Sequence, residues 1–439
     1  MLTASARREL GAALAAAFLA GAWTEPAMVR RGAEALEPRP RWLPALVRDV
    51  LAAHHRPPAD RPRELAAYVA LLLQQRRGVT VRPRVRRWFA PEPAMGPMRW
   101  PVPPIASPGA LADALELDPS QLEWLADARG LERTAAHRRL RHYTYLWLPR
   151  PGAPPRPIAR PKLKLKEVQR WILHEILDRV PAHDAAHGFV RGRSARSHAT
   201  LHAGRHTVLR MDLEDFFASV PARRVYGVFR TAGYPEAVAH ALTALTTTVV
   251  ARAEWAAVPR PADPELLRRH ERLGRRLATP HLPQGAPTSP ALASLAATGL
   301  DRRLAALAPV LCATYSRYAD DLAFSGDADM PAGTIRRVVA EVAREEGFRV
   351  APGKTGVRRR HERQLVCGVV VNERANIPRD AVDRLKATLH DAALRGPEAA
   401  NRAGVPDFRA HLQGRVAWVA QLNPARGRRL QAAFDAIAW

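Results

Sequence analysis

Apolar and polar positions change period several times along the chain, and each change predicts a different kind of element. Leu43, Leu46, Val47, Val50 and Leu51 mark one apolar face, and Leu65, Tyr68, Val69, Leu72 and Leu73 another, so residues 1 to about 80 read as helices. The apolar stretch Gly11 to Trp23 has the look of a secretory leader. Glu9 interrupts its basic start, however, and AMVRRGAEAL continues the helical period, so an amphipathic first helix is expected. Between Val81 and Pro104 arginine and proline take over, with Arg82, Arg84, Arg86 and Arg87 among seven prolines, which predicts a basic linker or extended arm. Strand-like and helix-like runs then alternate from about 105 to 370, an α+β body. YTYLWLPR (Tyr143 to Arg150) is a strand, PGAPP a turn, and Val168, Trp171, Ile172, Ile176 and Val180 line a helix stopped by Pro181. Three helices are predicted after 377, at roughly 379 to 395, 407 to 421 and 424 to 438.

Within the body, SRYADDLAFSG (Ser316 to Gly326) reads as two short strands joined by a turn that holds Asp320 and Asp321. Aspartate is a good turn former, so the pair alone proves little. LRMDLEDFFASV (Leu209 to Val220) adds Asp212 and Asp215 at the end of another strand-like run. If these strands are neighbours, two or three carboxylates converge, which is the donor set that hard divalent cations take. LPQGAPTSP (Leu282 to Pro290) places Gly285 in a tight turn before a helix, and GFRVAPGKTGV (Gly347 to Val357) puts Lys354 in a loop. QLVCGVVVN (Gln364 to Asn372) is a strand pair hinged at Gly368, and Cys312 and Cys367 each fall in an apolar strand-like run.

Composition narrows the partner. In 439 residues there are 68 basic and 42 acidic side chains, a net charge of +26, which favours a polyanion bound by phosphate neutralisation. No apolar run is long enough to span a bilayer, so no membrane partner is expected. Two cysteines exclude a Cys-rich zinc module and give no disulfide framework, which fits a reducing cytoplasm. Only five lysines stand against 63 arginines, and Lys162, Lys164, Lys166 and Lys354 fall in the segments singled out here.

The order and content of these segments resemble the reverse transcriptases, and among them the bacterial retron-type enzymes. DLEDFF is similar to their first catalytic motif, LPQGAPTSP to their nucleotide-contacting loop, YADD to their paired-aspartate hairpin, APGKT to their lysine-bearing motif and VCGVVVN to their primer-grip segment. ARPKLKLKEVQRWILHEIL and AHGFVRGRSARSHATLH resemble their finger-region motifs. The resemblance implies a right-hand polymerase: fingers 105–205, palm 206–373 and helical thumb 374–439, behind a helical N-terminal extension 1–80 and the linker 81–104.

It also implies roles. Asp212, Asp320 and Asp321 would hold two Mg²⁺ ions, with Mn²⁺ as an alternative. Phe217 would lie under the incoming sugar and exclude a 2′ hydroxyl, Gln284 and Gly285 would border the nucleotide, and Asp215 would lie near its triphosphate. Arg160 with Lys162 or Lys164 would neutralise that triphosphate; spacing does not choose between the lysines. Lys354 would lie near the departing pyrophosphate, and Tyr318 and Gly368 near the primer. The implied partners are dNTPs, an RNA–DNA hybrid, a cognate structured noncoding RNA from which an RNA-linked DNA is made in anti-phage defence, and an effector protein. An intron-derived enzyme is expected to carry a maturase region after the thumb, for which no room is expected before Trp439. A non-retron reverse transcriptase and a catalytically silent RNA-binding protein stay open as alternatives. Two departures touch the retron subtype: His198 stands where the family's Asn-Ala-x-x-His signature begins, and Cys367 stands within its Val-Thr-Gly signature.

Overall fold

The protein is described by a computed structural model covering residues 2–76, 83–127, 129–135 and 137–439. Val81 and Arg82, where the basic arm is expected to begin, lie outside the described residues. The chain forms two compact units, one from Met1–Val180 with Pro221–Ser289 and the other from Pro181–Val220 with Pro290–Trp439.

In the first unit, helices Ala4–Leu19, Glu25–Ala35, Leu43–Ala53 and Pro62–Gln75 surround a core that includes Leu14, Phe18, Met28, Leu46 and Val69. The first helix departs from the amphipathic expectation. Ala4, Ser5, Arg8 and Glu9 are exposed, but no residue from Leu10 to Leu19 is, because neighbouring helices close over it. Gly11 permits that closure, since a Cβ there would lie 2.5 Å from the Ala66 carbonyl oxygen. The buried Arg31 guanidinium donates to the Ala17, Phe18 and Ala22 carbonyls, satisfying acceptors that the end of this helix leaves without partners. The Arg/Pro-rich stretch runs extended against its own unit: Leu36 pairs with Val85, and the Gly96 amide donates to the Gly233 carbonyl.

The same unit holds an antiparallel hairpin of β1 (Tyr143–Arg150) and β2 (Ala153–Pro161). The helix that follows covers Leu163–Trp171, widens to a π turn over Ile172–Ile176 and tightens over Leu177–Arg179. Val180 is already extended, as the residue before a proline tends to be.

The second unit is built on a four-stranded antiparallel sheet in the order β4 (Ala313–Tyr318), β5 (Asp321–Gly326), β3 (Thr207–Asp212), β6 (Gly356–Arg359). Helices Thr298–Val310 and Ala332–Glu345 belong to this unit. Beside the sheet, β7 (Leu365–Val366) and β8 (Val369–Val370) form a minimal hairpin whose Val366 and Val369 pack with Val208 of β3 and Ala323 of β5. Neither cysteine lies in a strand: Cys312 and Cys367 both occupy left-handed turn positions, at φ 50° and 46°. The C-terminal helices Arg379–Arg395, Phe408–Leu422 and Pro424–Asp435 share a core of Leu385, Leu389, Leu412, Val416 and Phe434. Among the described residues no helix is long and apolar enough to cross a membrane.

Candidate active site

The carboxylates meet at one end of the sheet. β3 ends at Asp212 and β5 begins at Asp321, and the two are direct partners in the ladder, which puts their side chains on one face. Asp320 precedes Asp321 in the two-residue turn of the β4–β5 hairpin, and its carbonyl accepts from the Leu213 amide at 2.9 Å. Ala319, the other turn residue, has φ 56°. The Lys354 ammonium donates to both Asp212 carboxylate oxygens at 2.9 Å, while the Ala351 amide donates to the Asp212 carbonyl at 2.7 Å. Arg210, two residues before Asp212 and on the same strand face, ion-pairs with Asp321 at 3.1 Å. The Cys367 thiol lies 3.6 Å from the other Asp321 oxygen.

Burial raises the Asp320 carboxyl above its usual range, and the neighbouring Asp212 raises it further. Burial also raises Asp212, with Lys354 opposing. Among the described residues no group of three or more His, Cys, Asp or Glu side chains is placed so that it could hold a metal ion. The chemistry of the three carboxylates is that of hard oxygen donors, and burial with repulsion from neighbouring aspartates raises Asp212 and Asp320, a cost that a divalent charge would relieve.

The hairpin tip is held from behind. Arg317 and Asp301 are both fully buried and form a two-point ion pair at 2.6 and 2.8 Å; Arg317 also donates to the Ala319 carbonyl at 3.0 Å. Tyr315 donates its hydroxyl to the same Asp301. The Ala185–Gly188 segment runs along β4, with the Arg317 amide donating to the Ala185 carbonyl and the His187 amide to the Arg317 carbonyl. Gly188 is obligatory there, because a Cβ would sit 2.3 Å from the Ala319 amide nitrogen. On helix Ala195–Thr200 and just beyond it, His198 and His202 share the Ser316 hydroxyl at 2.7 and 2.8 Å, and the second ring nitrogen of His202 reaches Ser325 at 2.7 Å. Burial holds both imidazoles neutral, lowering His198 to about 2 and His202 to about 3.

The remaining sequence-predicted residues divide between the units. In the second, Asp215 takes a left-handed conformation (φ 50°), and half-buried Phe217 lies 6.0 Å, ring to ring, from Phe189. Tyr318 closes β4, its ring 5.9 Å from that of His198. Cys367 and Gly368 are the two left-handed residues of the β7–β8 turn. In the first unit, Arg160 and Lys164 are exposed on and beside β2, while the Lys162 ammonium is tied to the Arg138 and Arg139 carbonyls at 2.8 and 3.0 Å. The Gln284 carbonyl accepts from the Ala159 amide, and Gly285 (φ 121°) brings its backbone so close that a Cβ would lie 3.0 Å from the Ala159 oxygen. Sequence reasoning missed Arg210, Asp301 and Phe189. Asp301 and Arg317 lie 16 residues apart with no periodic signal joining them.

The chain belongs to the reverse transcriptase (RNA-dependent DNA polymerase) family, whose sequence pattern matches residues 148–371. That domain implies a right-hand polymerase fold, in keeping with the mixed helix and sheet described above. Enzymes of this family generally use divalent metal ions such as Mg²⁺. The chain is 40% identical over 338 residues to the retron Mx162 reverse transcriptase of Myxococcus xanthus, covering 73% of this chain and 64% of the relative. It is 40% identical over 292 residues to the retron Mx65 enzyme of the same organism, covering 66% and 64%, and 30% identical over 236 residues to the retron Ec86 enzyme of Escherichia coli, covering 54% and 64%. The alignments therefore span 64% of the length of each of these relatives. The resemblance to retron-type enzymes read from the motifs is borne out.

Proposed function

We propose that the protein is an RNA-directed DNA polymerase of retron type, which copies part of a cognate structured noncoding RNA into an RNA-linked single-stranded DNA. The observation that carries this reading is the ladder pairing of Asp212 with Asp321 beside Asp320 in the adjoining turn, with Lys354 on Asp212. In this reading residues 105–205 are fingers, 206–373 palm and 374–439 thumb, behind the helical extension 1–80 and the arm 81–104.

Asp212, Asp320 and Asp321 would hold two Mg²⁺ ions, which when bound supply Lewis-acid activation of the attacking hydroxyl and charge neutralisation at the leaving pyrophosphate. The chain's own side chains do the rest. Lys354 leaves Asp212 for the pyrophosphate and offers it a positive charge or a proton. Phe217, backed by Phe189, presents a flat apolar surface under the sugar that rejects a 2′ hydroxyl by contact. Gln284, Gly285 and the Asp215 backbone line the nucleotide. Arg160 and Lys164 neutralise its triphosphate; Lys162 is the weaker candidate, because its ammonium already serves two carbonyls. Tyr318 and Gly368 touch the primer end. The reading further includes an effector protein and a role in anti-phage defence, for which the support is the likeness to retron enzymes.

The test is to express the gene with its native flanking DNA and compare total nucleic acid with an Asp320→Asn control. A discrete short DNA whose mobility shifts on ribonuclease treatment, present only with intact Asp320, supports the reading. Its absence, with purified protein still extending a primer on RNA, moves the protein to a non-retron reverse transcriptase.

A further inference from the structure

Phe189 stands in an unfavourable place for its residue type. Its backbone is left-handed at φ 63°, where a bulky side chain is strained, and it is the one aromatic residue with positive φ among the described residues. Its side chain gains little burial in return, since the residue is 45% exposed. The loop around it holds the strain in place. The Arg193 guanidinium donates to the His183, Asp184 and Ala186 carbonyls at 2.9, 2.7 and 2.7 Å and to the Asp184 carboxylate at 3.0 Å, and the Arg193 amide donates to the Val190 carbonyl. Backbone strain that its surroundings over-determine clusters at sites that contact ligands. Two neighbours say which ligand this is. The Phe189 ring lies 6.0 Å from that of Phe217, and the residue before it, Gly188, is packed against the Ala319 amide nitrogen with no room for a Cβ. Ala319 directly precedes Asp320.

We propose that Phe189 is a specificity-determining residue, which packs against the sugar edge of the base pair being formed and couples the shape of that pair to the Asp320 turn. The inference rests on the polymerase reading, which sets Phe217 under the incoming sugar, and it names what the site discriminates. A ring beside Phe217 faces the minor-groove side of the new pair. An aromatic face donates no hydrogen bond, and A·T and T·A pairs present the same acceptors in that groove, so the ring reads shape and not sequence. A correct pair leaves the ring seated. A mispair shifts its sugar edge onto the ring, and because the loop is stapled and Gly188 abuts Ala319, the displacement reaches the turn that carries Asp320. A misplacement of about 1 Å there can cost about 100-fold in rate.

The test uses the full chain with a DNA primer annealed to an RNA template. It reads kcat/KM for the correct dNTP, for mispaired dNTPs and for the matching rNTP, beside the thermal midpoint of each variant. Phe189→Gly takes the left-handed backbone without strain, so its midpoint should stay unchanged or rise, whereas a purely structural aromatic would lower it. In the same variant the ratio of correct over mispaired kcat/KM should fall about tenfold, the loss of one apolar contact in the discriminating state. Phe189→Tyr retains the ring and should retain the ratio. An unchanged ratio in Phe189→Gly overturns the proposal. So does a fall confined to the dNTP over rNTP ratio, which leaves Phe189 only as a brace for Phe217, or an equal fall in Phe189→Tyr. An unmodified chain that extends no primer counts against the polymerase reading itself, whereas an active chain with unchanged ratios overturns this inference alone.

Discussion

Arg317 and Asp301 form a fully buried ion pair directly behind the aspartate hairpin, with the same guanidinium holding the Ala319 carbonyl of the turn. Desolvating two charges is costly, and the pair persists because nearly every polar atom is matched: Asp301 also accepts from Tyr315, and Arg317 spans Asp301, Ala319 and Ser294. Removing one partner leaves the other charged and buried. Asp301→Ala is therefore expected to destabilise the fold by about 3–5 kcal/mol, measured as a shift in urea unfolding. A loss below 1 kcal/mol would mean that water or a second anion reaches Arg317.

Gly188, in the loop segment that runs along β4, limits the same turn. Gly188→Ala must displace the Ala319 amide by more than a tolerable contact, at an overpacking cost of about 1–3 kcal/mol. Since Ala319 adjoins Asp320, synthesis should fall more steeply than stability does. Comparing kcat with the unfolding midpoint of this variant checks the point; equal proportional losses would contradict it.

The histidine network gives a pH signature. His198 and His202 are neutral in the fold, with pKa lowered to about 2 and 3, whereas the unfolded chain protonates them near 6.5. The unfolded state then binds more protons at any pH between these limits. Stability from this source is complete above about pH 6.5 and declines as pH falls toward 3, by up to about 1.4 kcal/mol per pH unit for each imidazole. Burial lowers other histidines too, His281 to about 4, so the difference between the unmodified chain and His202→Gln isolates the effect. That variant should show a shallower loss of stability between pH 6 and 5.

Phe217 rests against Phe189 and Phe216, which limits its freedom to swing aside. Phe217→Ala should admit ribonucleotides, lowering the dNTP over rNTP ratio of kcat/KM by about tenfold or more. Unchanged sugar discrimination would remove the steric-gate role.

Much of this was legible in the chain because the relevant signals are local. Alternation around Asp320 and Asp321 marks two strands and a turn, and the apolar period marks the C-terminal helices to within a few residues. What stayed hidden depends on tertiary pairing. Arg210 reads as one arginine among 63 until β3 and β5 come into register and set it on Asp321. Asp301 looks like a solvated helix residue until it meets Arg317. The first helix departs from its amphipathic reading because burial on several sides reflects its neighbours, and the apolar surroundings of Cys312 and Cys367 conceal turns that take left-handed backbone.

The most direct measurement is primer extension on an RNA template with dNTPs by purified Asp320→Asn protein, run beside salt-dependent binding of the same primer–template. Asparagine removes a carboxylate charge from the hairpin tip and leaves the basic surfaces intact, so synthesis should vanish while affinity and salt slope stay nearly unchanged. Synthesis at a rate comparable to the unmodified chain would contradict the account.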